Sequence, residues 1–295
     1  MKIVNIIGGL GNQMFQYAFA IALQKKFVHE TVCVDIQHFN YLFLNHYKSC
    51  RLHNGYEICK VFECANLKIA SRNELKELTY YIPNYFLSRL VRRMLPVKQT
   101  EYIEDKNYVY YPEVFDIAFS CYYEGYWQSA RYFIDAIGEI QKAFTFPTPN
   151  KYNSSIKRLI VGSMSVGIHI RRGDYLQDPE YQGICNLEYY KRALDYIGIK
   201  NKSFFIFSND IEWCKQNIVN LLHGVPIIFV DGNKGLNSAW DMFLMSQCNE
   251  LIIANSSFSW WGAFLNKKVK KVIVPKKWIN RDYEADVYLD SWVKI

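Results

Sequence analysis

The sequence predicts an α/β protein made of two Rossmann-like domains facing a central cleft. Three observations carry that expectation. Apolar runs of strand length alternate with amphipathic helical stretches in both halves of the chain. The segment Phe146-Pro147-Thr148-Pro149-Asn150-Lys151-Tyr152-Asn153-Ser154-Ser155 interrupts the alternation and is the best linker, dividing an N-terminal domain (1–148) from a C-terminal one (149–295). Polar residues gather just after the strands, where doubly wound sheets hold their ligands.

In chain order, Lys2 to Ile7 reads as a buried strand and Gly8-Gly9-Leu10-Gly11 as a turn. Asn12 to Lys26 follows as a helix with Phe15, Phe19, Ala22 and Leu23 on one side, and Thr31 to Ile36 is a second strand. Residues 37–120 mix loops and helices without a clear period. Phe119 to Tyr123 is an aromatic strand that ends in Glu124-Gly125-Tyr126-Trp127-Gln128-Ser129, and Ala130 to Phe144 is expected to be helical. Beyond the linker, strands are expected at Val166–Ile170, Ser203–Phe207, Pro226–Val230, Glu250–Ala254 and, last, Val269–Val274. Helices are expected at Leu187–Ile197, with Asn186 as its cap, and at Leu236–Gln247.

A chain of 295 residues suits two cores, and a hydrophobic content of 50% excludes a disordered protein. The net charge of +7 suits a phosphorylated ligand. No RNA-binding signature occurs, so nucleic acid is not an expected partner. Arg89, Arg92, Arg93 and Lys98 surround Leu90, Val91, Met94 and Leu95 in a short amphipathic basic stretch. A solvated helix face is the first reading of it, and peripheral contact with an anionic membrane the second. The N-terminus lacks a signal-peptide profile and no apolar run reaches membrane-spanning length, which points to a cytoplasmic protein with reduced thiols. His46, Cys50, His53, Cys59 and Cys64 cluster, but their spacing fits no closed zinc site, and no metal is expected.

The chemistry concentrates at four strand ends: Gly8 to Gly11, His169 to Asp174, Ser208 to Asp210, and Asn255 to Ser259. In Gly167-Ile168-His169-Ile170-Arg171-Arg172-Gly173-Asp174-Tyr175 an apolar strand runs into two arginines and a carboxylate. Alternation puts His169 and Arg171 on one face and Arg172 on the other. An imidazole beside a planar five-donor cation fits a nucleotide diphosphate. Asn255-Ser256-Ser257-Phe258-Ser259 opens a helix, and three serines and an asparagine exceed what one cap needs, which favours phosphate binding there. Asp210 is placed to accept from a guanine edge, to bind ribose hydroxyls, or merely to form a turn. Asp174 is a candidate general base or a partner for Arg172. No Asp-x-Asp sequence occurs, so arginine and a helix terminus would have to neutralise a leaving diphosphate. A rival reading takes Gly9-Leu10-Gly11-Asn12-Gln13-Met14 and Asp35 as a dinucleotide fingerprint of an NAD(P)-dependent oxidoreductase, with Met14 at the third glycine position. A non-catalytic carbohydrate-binding protein is the other rival, on the strength of the aromatic content.

Together these residues resemble the alpha-1,2-fucosyltransferases over most of the chain. The likeness rests on Gly8-Gly9-Leu10-Gly11-Asn12-Gln13-Met14-Phe15-Gln16-Tyr17, Gly125 to Ser129, His169 to Tyr175, Ser208-Asn209-Asp210 and Asn255 to Gly262, in this order. The His-x-Arg-Arg-x-Asp element alone is shared with other fucosyltransferase families. Three positions depart from the usual pattern: Glu250 stands where His is common, Phe264 where Trp is, and Trp127 where Phe is, the last suggesting a narrowed acceptor subsite.

The resemblance implies a GT-B fold, GDP-fucose as donor, inversion at the anomeric carbon, and no metal or other cofactor. It implies a galactoside alpha-1,2-L-fucosyltransferase acting on O2 of a terminal beta-galactose, with the C-terminal half on the donor and the N-terminal half on the acceptor. Arg171, Asp174 and Asn12 are the expected catalytic residues, with Asp178 or Glu180 as weaker candidates for the base. His169, Arg171, Arg172, Ser208, Asp210, Asn255, Ser256, Ser257, Ser259 and Gly11 are expected to bind the donor. By likeness, His169 and Asp210 meet guanine and Arg171 the diphosphate. The expected setting is bacterial surface polysaccharide synthesis in the cytoplasm, on an acceptor that includes lipid-linked glycans at the inner membrane.

Overall fold

A computed structural model of the chain describes residues 1–39 and 54–295. The chain divides into two compact units, Met1–Thr145 and Phe146–Ile295. Each is built on its own all-parallel sheet.

The first unit contains, in chain order, β1 (Lys2–Asn5), α1 (Leu10–Lys26), β2 (Val32–Asp35), α2 (Ile58–Val61), β3 (Lys68–Ile69), α3 (Arg72–Leu78), α4 (Tyr85–Met94), β4 (Glu101–Ile103), β5 (Cys121–Glu124) and α5 (Ile137–Ala143). The sheet order is β3-β2-β1-β5-β4, so the direction of winding reverses between β1 and β5. Helix α1 is not the one-sided helix its sequence suggests. From Leu10 to Leu23 every residue except Asn12 is buried, and only Gln24, Lys25 and Lys26 emerge into solvent. A helix apolar all round belongs inside a core. It lies in an aromatic cluster where Phe19 stacks on Trp127 at 4.4 Å and meets Tyr123 and Tyr132 edge-on, each at 5.4 Å.

The glycine turn is shorter than the sequence suggests. Gly8 makes it alone at φ +79, Gly9 is the N-cap, and the helix has begun at Leu10. Gly11 is therefore buried in the first helical turn rather than part of the loop. A side chain at Gly8 would sit 2.7 Å from Nδ2 of Asn12, so the positive φ and the close approach both require glycine. Ala130–Phe144 is not one helix either. It opens with two 3-10 turns, Ala130–Tyr132 and Ile134–Ala136, and α5 begins only at Ile137, because Phe133 leaves helical geometry at φ −139, ψ 15.

The basic stretch forms α4, and Arg92 on it is not solvated. Its guanidinium turns inward, with Nε 2.9 Å from Oε1 of Glu101, Nη2 2.5 Å from Oε2 of Glu124, and its centre 4.7 Å from the Tyr122 ring centroid. This buried pairing ties α4 to β4 and β5.

The second unit contains α6 (Lys151–Val161), β6 (Ser165–Ile170), α7 (Leu187–Ile197), β7 (Ser203–Ser208), α8 (Ile211–Asn217), β8 (Ile227–Val230), α9 (Ala239–Met245), β9 (Glu250–Ile252), α10 (Ser257–Phe264), β10 (Lys271–Val274) and β11 (Val293–Lys294). Its sheet order is β11-β10-β9-β6-β7-β8, which reverses between β6 and β9. Helix α7 has the expected ends, with the Asn186 side chain accepting from the Tyr189 amide at 3.0 Å. The linker is shorter than expected: Asn150 caps α6, so Lys151 to Ser155 are helical. Leu236–Gln247 begins as a 3-10 turn, Gly235–Ser238, before α9. Val269–Val274 is not the last strand, because β11 adds beside β10. All six residues of β6 are buried. A Cβ on Gly167 would lie 2.7 Å from Cδ2 of Leu251 and 3.0 Å from Sγ of Cys248, so glycine here leaves room for those two side chains.

Removing Arg92 strands the buried carboxylate of Glu101 and the partly buried one of Glu124. Arg92→Ala is expected to cost roughly 3–5 kcal/mol and lower the melting temperature by about 10 °C. An Arg92→Met/Glu101→Gln/Glu124→Gln protein is expected to recover most of that loss in calorimetry. A single mutant that melts with the parent would show that the ion pairs do not hold α4.

Candidate functional site

In open α/β sheets the crevice for a ligand lies at the carboxyl ends of the strands where the winding reverses. In the second unit that point lies between β6 and β9. The loop after β6 carries Arg171 to Tyr175, and the loop after β9 leads into α10 through Asn255 and Ser256. On the other side of β6, β7 delivers Ser208, Asn209 and Asp210. The strand order thus brings three separate sequence motifs to one edge of one sheet.

His169, near the end of β6, is 5% exposed, its Nδ1 has no hydrogen-bond partner, and its ring lies 5.9 Å from that of Phe258 in the first turn of α10. Burial, reinforced by the charge of Arg171, pulls its pKa down to about 3, so the imidazole is neutral. Arg171 donates from Nη2 to Oδ2 of Asp174 at 2.8 Å, and its guanidinium centre lies 5.6 Å from the Tyr175 ring centroid. Asp174 therefore pairs with Arg171 and not with Arg172. Gly173 between them has φ +38, and a Cβ there would meet Nδ2 of Asn209 at 2.6 Å.

Arg172 is held by the β7 loop. Its amide donates to Oδ1 of Asn209 at 2.9 Å, its Nε donates to Oδ2 of Asp210 at 3.1 Å, and its guanidinium lies 4.0 Å from the Trp213 ring centroid. The other oxygen of Asp210 caps α8 by accepting from the Trp213 amide at 3.1 Å, while the Asp210 amide donates to Oγ of Ser208 at 2.9 Å. Arg172, Ser208 and Asp210 form one mutually satisfied cluster. Trp213 is a member that sequence reading missed, its only signal being an aromatic three residues after the cap.

The β9 loop divides its polar residues by depth. Asn255 is buried, donating from Nδ2 to the Trp278 carbonyl at 3.0 Å and accepting at Oδ1 from Sγ of Cys185 at 3.3 Å. Ser259 is also buried, and its hydroxyl donates back to the carbonyls of Ala254 and Ser256. Tyr175 donates to the Asn255 carbonyl at 3.2 Å and stacks on Tyr181 at 4.6 Å, linking the two sides of the crevice. Ser256 is the N-cap of α10 and Ser257, half-buried, its first residue. The start of α10 carries the positive end of its dipole toward this edge. Of the weaker base candidates, Glu180 is ion-paired with Arg281, and Asp178 accepts from the Glu180 amide at 2.9 Å.

The first unit repeats the pattern at its own reversal, between β1 and β5. Oδ1 of Asn12 accepts from Nε2 of Gln128 at 2.8 Å, joining the two N-terminal motifs. Gln13 and Gln16, wholly buried, stitch backbone: Gln13 donates to the carbonyls of Gly8 and Gly55, and Gln16 accepts from the Ile7 amide and donates to the Gly125 carbonyl. Beneath Gly125 lies Glu104, whose Oε2 accepts from the Tyr126 amide at 2.7 Å and whose pKa burial pushes up to about 7. Nothing in the sequence around Glu104 marks it. Trp127 is fully buried in the aromatic cluster, stacked on Phe19. Of the other two departures, Glu250 pairs with Nζ of Lys202 at 2.5 Å and Phe264 stacks on Trp260 at 4.8 Å; both serve packing.

The dinucleotide reading fails on geometry. Asp35 is 4% exposed and its two oxygens accept from the Gln37 amide and the Tyr122 hydroxyl, which leaves it unable to meet a ribose. Among the described residues no group of three or more His, Cys, Asp or Glu is placed to hold a metal ion. Cys59 and Cys64 are exposed free thiols, and His46, Cys50 and His53 lie outside the described residues.

The folded pKa of His169 lies below the ~6.5 of an open imidazole, so the unfolded chain takes up this proton first. Its contribution to stability is complete above pH ~6.5 and is lost as pH falls from there toward 3. Melting temperatures of His169→Asn are expected to fall less steeply with acid than those of the parent. Parallel curves would mean that the folded imidazole is charged.

The family model described as glycosyl transferase family 11 matches residues 87–295. An Escherichia coli alpha-1,2-colitosyltransferase is 32% identical, covering 99% of this chain and 98% of its own length. The Escherichia coli O-antigen biosynthesis glycosyltransferase WbnK is 30% identical, covering 98% of each. A galactoside alpha-(1,2)-fucosyltransferase 1 from Ateles belzebuth is 36% identical over a shorter region, 34% of this chain and 28% of its own. Among solved structures, the fucosyltransferase NodZ from Bradyrhizobium superposes with a TM-score of 0.52 at 14% identity, covering 92% of each chain, a likeness of GT-B fold alone. The fold, the motifs and the full-length relatives agree, and the chain belongs to glycosyl transferase family 11.

Proposed function

We propose that this enzyme transfers L-fucose from GDP-fucose to O2 of a terminal beta-galactose, with inversion and without a metal. The relatives support the linkage, since alpha-1,2 is common to the names of the colitosyltransferase and the fucosyltransferase. The observation that carries the reading is that Arg171 and the start of α10 lie on either side of the reversal between β6 and β9. A departing diphosphate at that crevice meets a guanidinium and a helix N-terminus, which hold its growing charge more strongly in the transition state than in the bound donor.

The remaining roles follow from which groups are committed elsewhere. Neutral His169 offers Nδ1 to guanine, and Asp210 with Ser208 holds the guanosine end, with Arg172 fixing Asp210. Ser256 and Ser257 contact the phosphates or the fucose, and Asn255 and Ser259 act through the turn they hold. Asn12, set by Gln128 and by the packing of Gly11, contributes its amide from the N-terminal unit, which we assign to the acceptor. Asp174 takes the acceptor proton. In the structure Arg171 occupies Asp174; when the diphosphate takes over the guanidinium, the carboxylate is released for the incoming hydroxyl.

The colitosyltransferase relative favours one second reading, in which the donor sugar is colitose rather than fucose. WbnK, named for O-antigen biosynthesis, supports a place in bacterial surface polysaccharide synthesis; a lipid-linked acceptor met from the cytoplasm is our reading of that setting. No helix among the described residues is long and apolar enough to cross a membrane.

Mass spectrometry of a reaction with EDTA, beta-galactosides and either GDP-fucose or GDP-colitose tests donor and metal together. A deoxyhexose gain, absent with a 2-deoxygalactoside, is the expected result; a gain from GDP-colitose alone would move the reading to the second donor. Arg171→Ala is expected to lower kcat about 100-fold or more while circular dichroism stays native. Asp174→Asn is expected to bind GDP as well as the parent and transfer little. Full transfer by that variant would move the base elsewhere.

A further inference from the structure

Helix α4 is built inside out. The residues it buries, Tyr85, Ser88 and Arg92, include two polar side chains with internal partners: Ser88 donates to the Tyr80 carbonyl at 3.1 Å, and Arg92 meets Glu101 and Glu124. Its aliphatic and phenyl side chains, Val91 apart, face solvent. Phe86, Leu90 and Met94, four apart, form one exposed row, with Leu87 beside it and Leu95 and Val97 continuing it; Met94 is 75% exposed. Six large apolar side chains together on a surface mark a site of contact.

The charge around the row selects the partner. From Leu78 to Thr100 there is no acidic residue, while Arg93 is exposed beside the row and Lys98 half-buried near its end; Arg89 turns inward, its Nε buried. Arg93 makes no ion pair among the described residues. A second copy of this chain would set the patch against itself across a two-fold axis. Cations would then face cations with no carboxylate to offset them. A bilayer of anionic phospholipid offers what both parts of the patch lack: apolar depth for the row and negative headgroups for Arg93 and Lys98.

We propose that α4 seats this protein on an anionic phospholipid bilayer, with Phe86, Leu87, Leu90, Met94, Leu95 and Val97 entering the interface and Arg93, with Lys98 beside it, at the headgroups. The inference is independent of the donor and acceptor named above.

The test is co-sedimentation of the full chain with phosphatidylglycerol-containing vesicles against vesicles of phosphatidylcholine alone. Each cation at an anionic surface strengthens partition about fivefold, so tenfold or greater preference for the anionic vesicles is expected, weakening with salt. Leu90→Glu/Met94→Glu is expected to abolish sedimentation, and Arg93→Glu to weaken it several-fold, with the parent melting temperature retained in both. Failure of the parent to sediment with the anionic vesicles would overturn the proposal, as would undiminished binding by the double variant. Light scattering that shows a dimer split by Leu90→Glu/Met94→Glu would assign the face to a second copy instead.

Discussion

The reversal of winding beside β6 is the constraint on which the rest of the C-terminal unit depends. Strands added on one side carry their connections one way, and strands on the other carry them the opposite way, so the loops after β6 and β9 part and leave a crevice. Every residue of β6 is buried, so the strand's only outlet is its carboxyl end. The two arginines that follow are where a buried strand can first present charge. Gly167 matters nearby: a Cβ there would press on the side chains of Leu251, on β9, and Cys248, just before it. The N-terminal unit obeys the same rule at β1 and β5, where Asn12 and Gln128 close the gap between two motifs 116 residues apart.

Polar residues in these motifs divide into those that build the site and those left to act. Gln13, Gln16, Asn255 and Ser259 are buried and spend their hydrogen bonds on backbone or on one another's loops. Arg172 and Asp210 satisfy each other and fix α8. Such groups are expensive to bury unpaired, and here they rigidify the loops that carry Arg171, Asp174 and Ser257. Preorganisation of this kind is what electrostatic catalysis needs, because donors already in place reorganise little when charge develops.

What the sequence made legible follows the range of the forces involved. Helix α7 was readable because its cap and its stripe are local, and the strands of the second half because buried parallel strands are long apolar runs. The polar residues after those strands were legible for the same reason, since each cluster follows directly on an apolar run. The burial of α1 all round emerges only when Met14, Tyr17 and Ile21 are counted with the face of Phe15, Phe19 and Ala22, because Asn12, Gln13 and Gln16 among them read as a polar side. Arg92 reads as a surface charge until Glu101 and Glu124 are known to converge on it, and no local pattern announces that. Glu104 and Trp127 are alike in this: one supports, the other packs behind, a turn whose partners are distant in sequence. Strands β3 and β11, two residues each, are too short to carry any period.

The pairing of Arg171 with Asp174 gains its meaning from its exposure. The two side chains are 33% and 57% exposed, so their ion pair contributes about 0–1 kcal/mol and separates at little cost. Arg172 with Asp210 is a tighter arrangement, since the guanidinium also lies on Trp213 and the carboxylate also caps α8. Two adjacent arginines thus differ in how firmly they are held, and the looser one faces the crevice. A diphosphate, with more charge and bidentate geometry, outcompetes a single exposed carboxylate for a guanidinium. On the proposed chemistry, donor binding therefore does two things with one exchange: it clamps the leaving group and releases the base. A firmly buried Arg171–Asp174 pair would have blocked both, which is a physical reason for the loop after β6 to leave this pair in solvent.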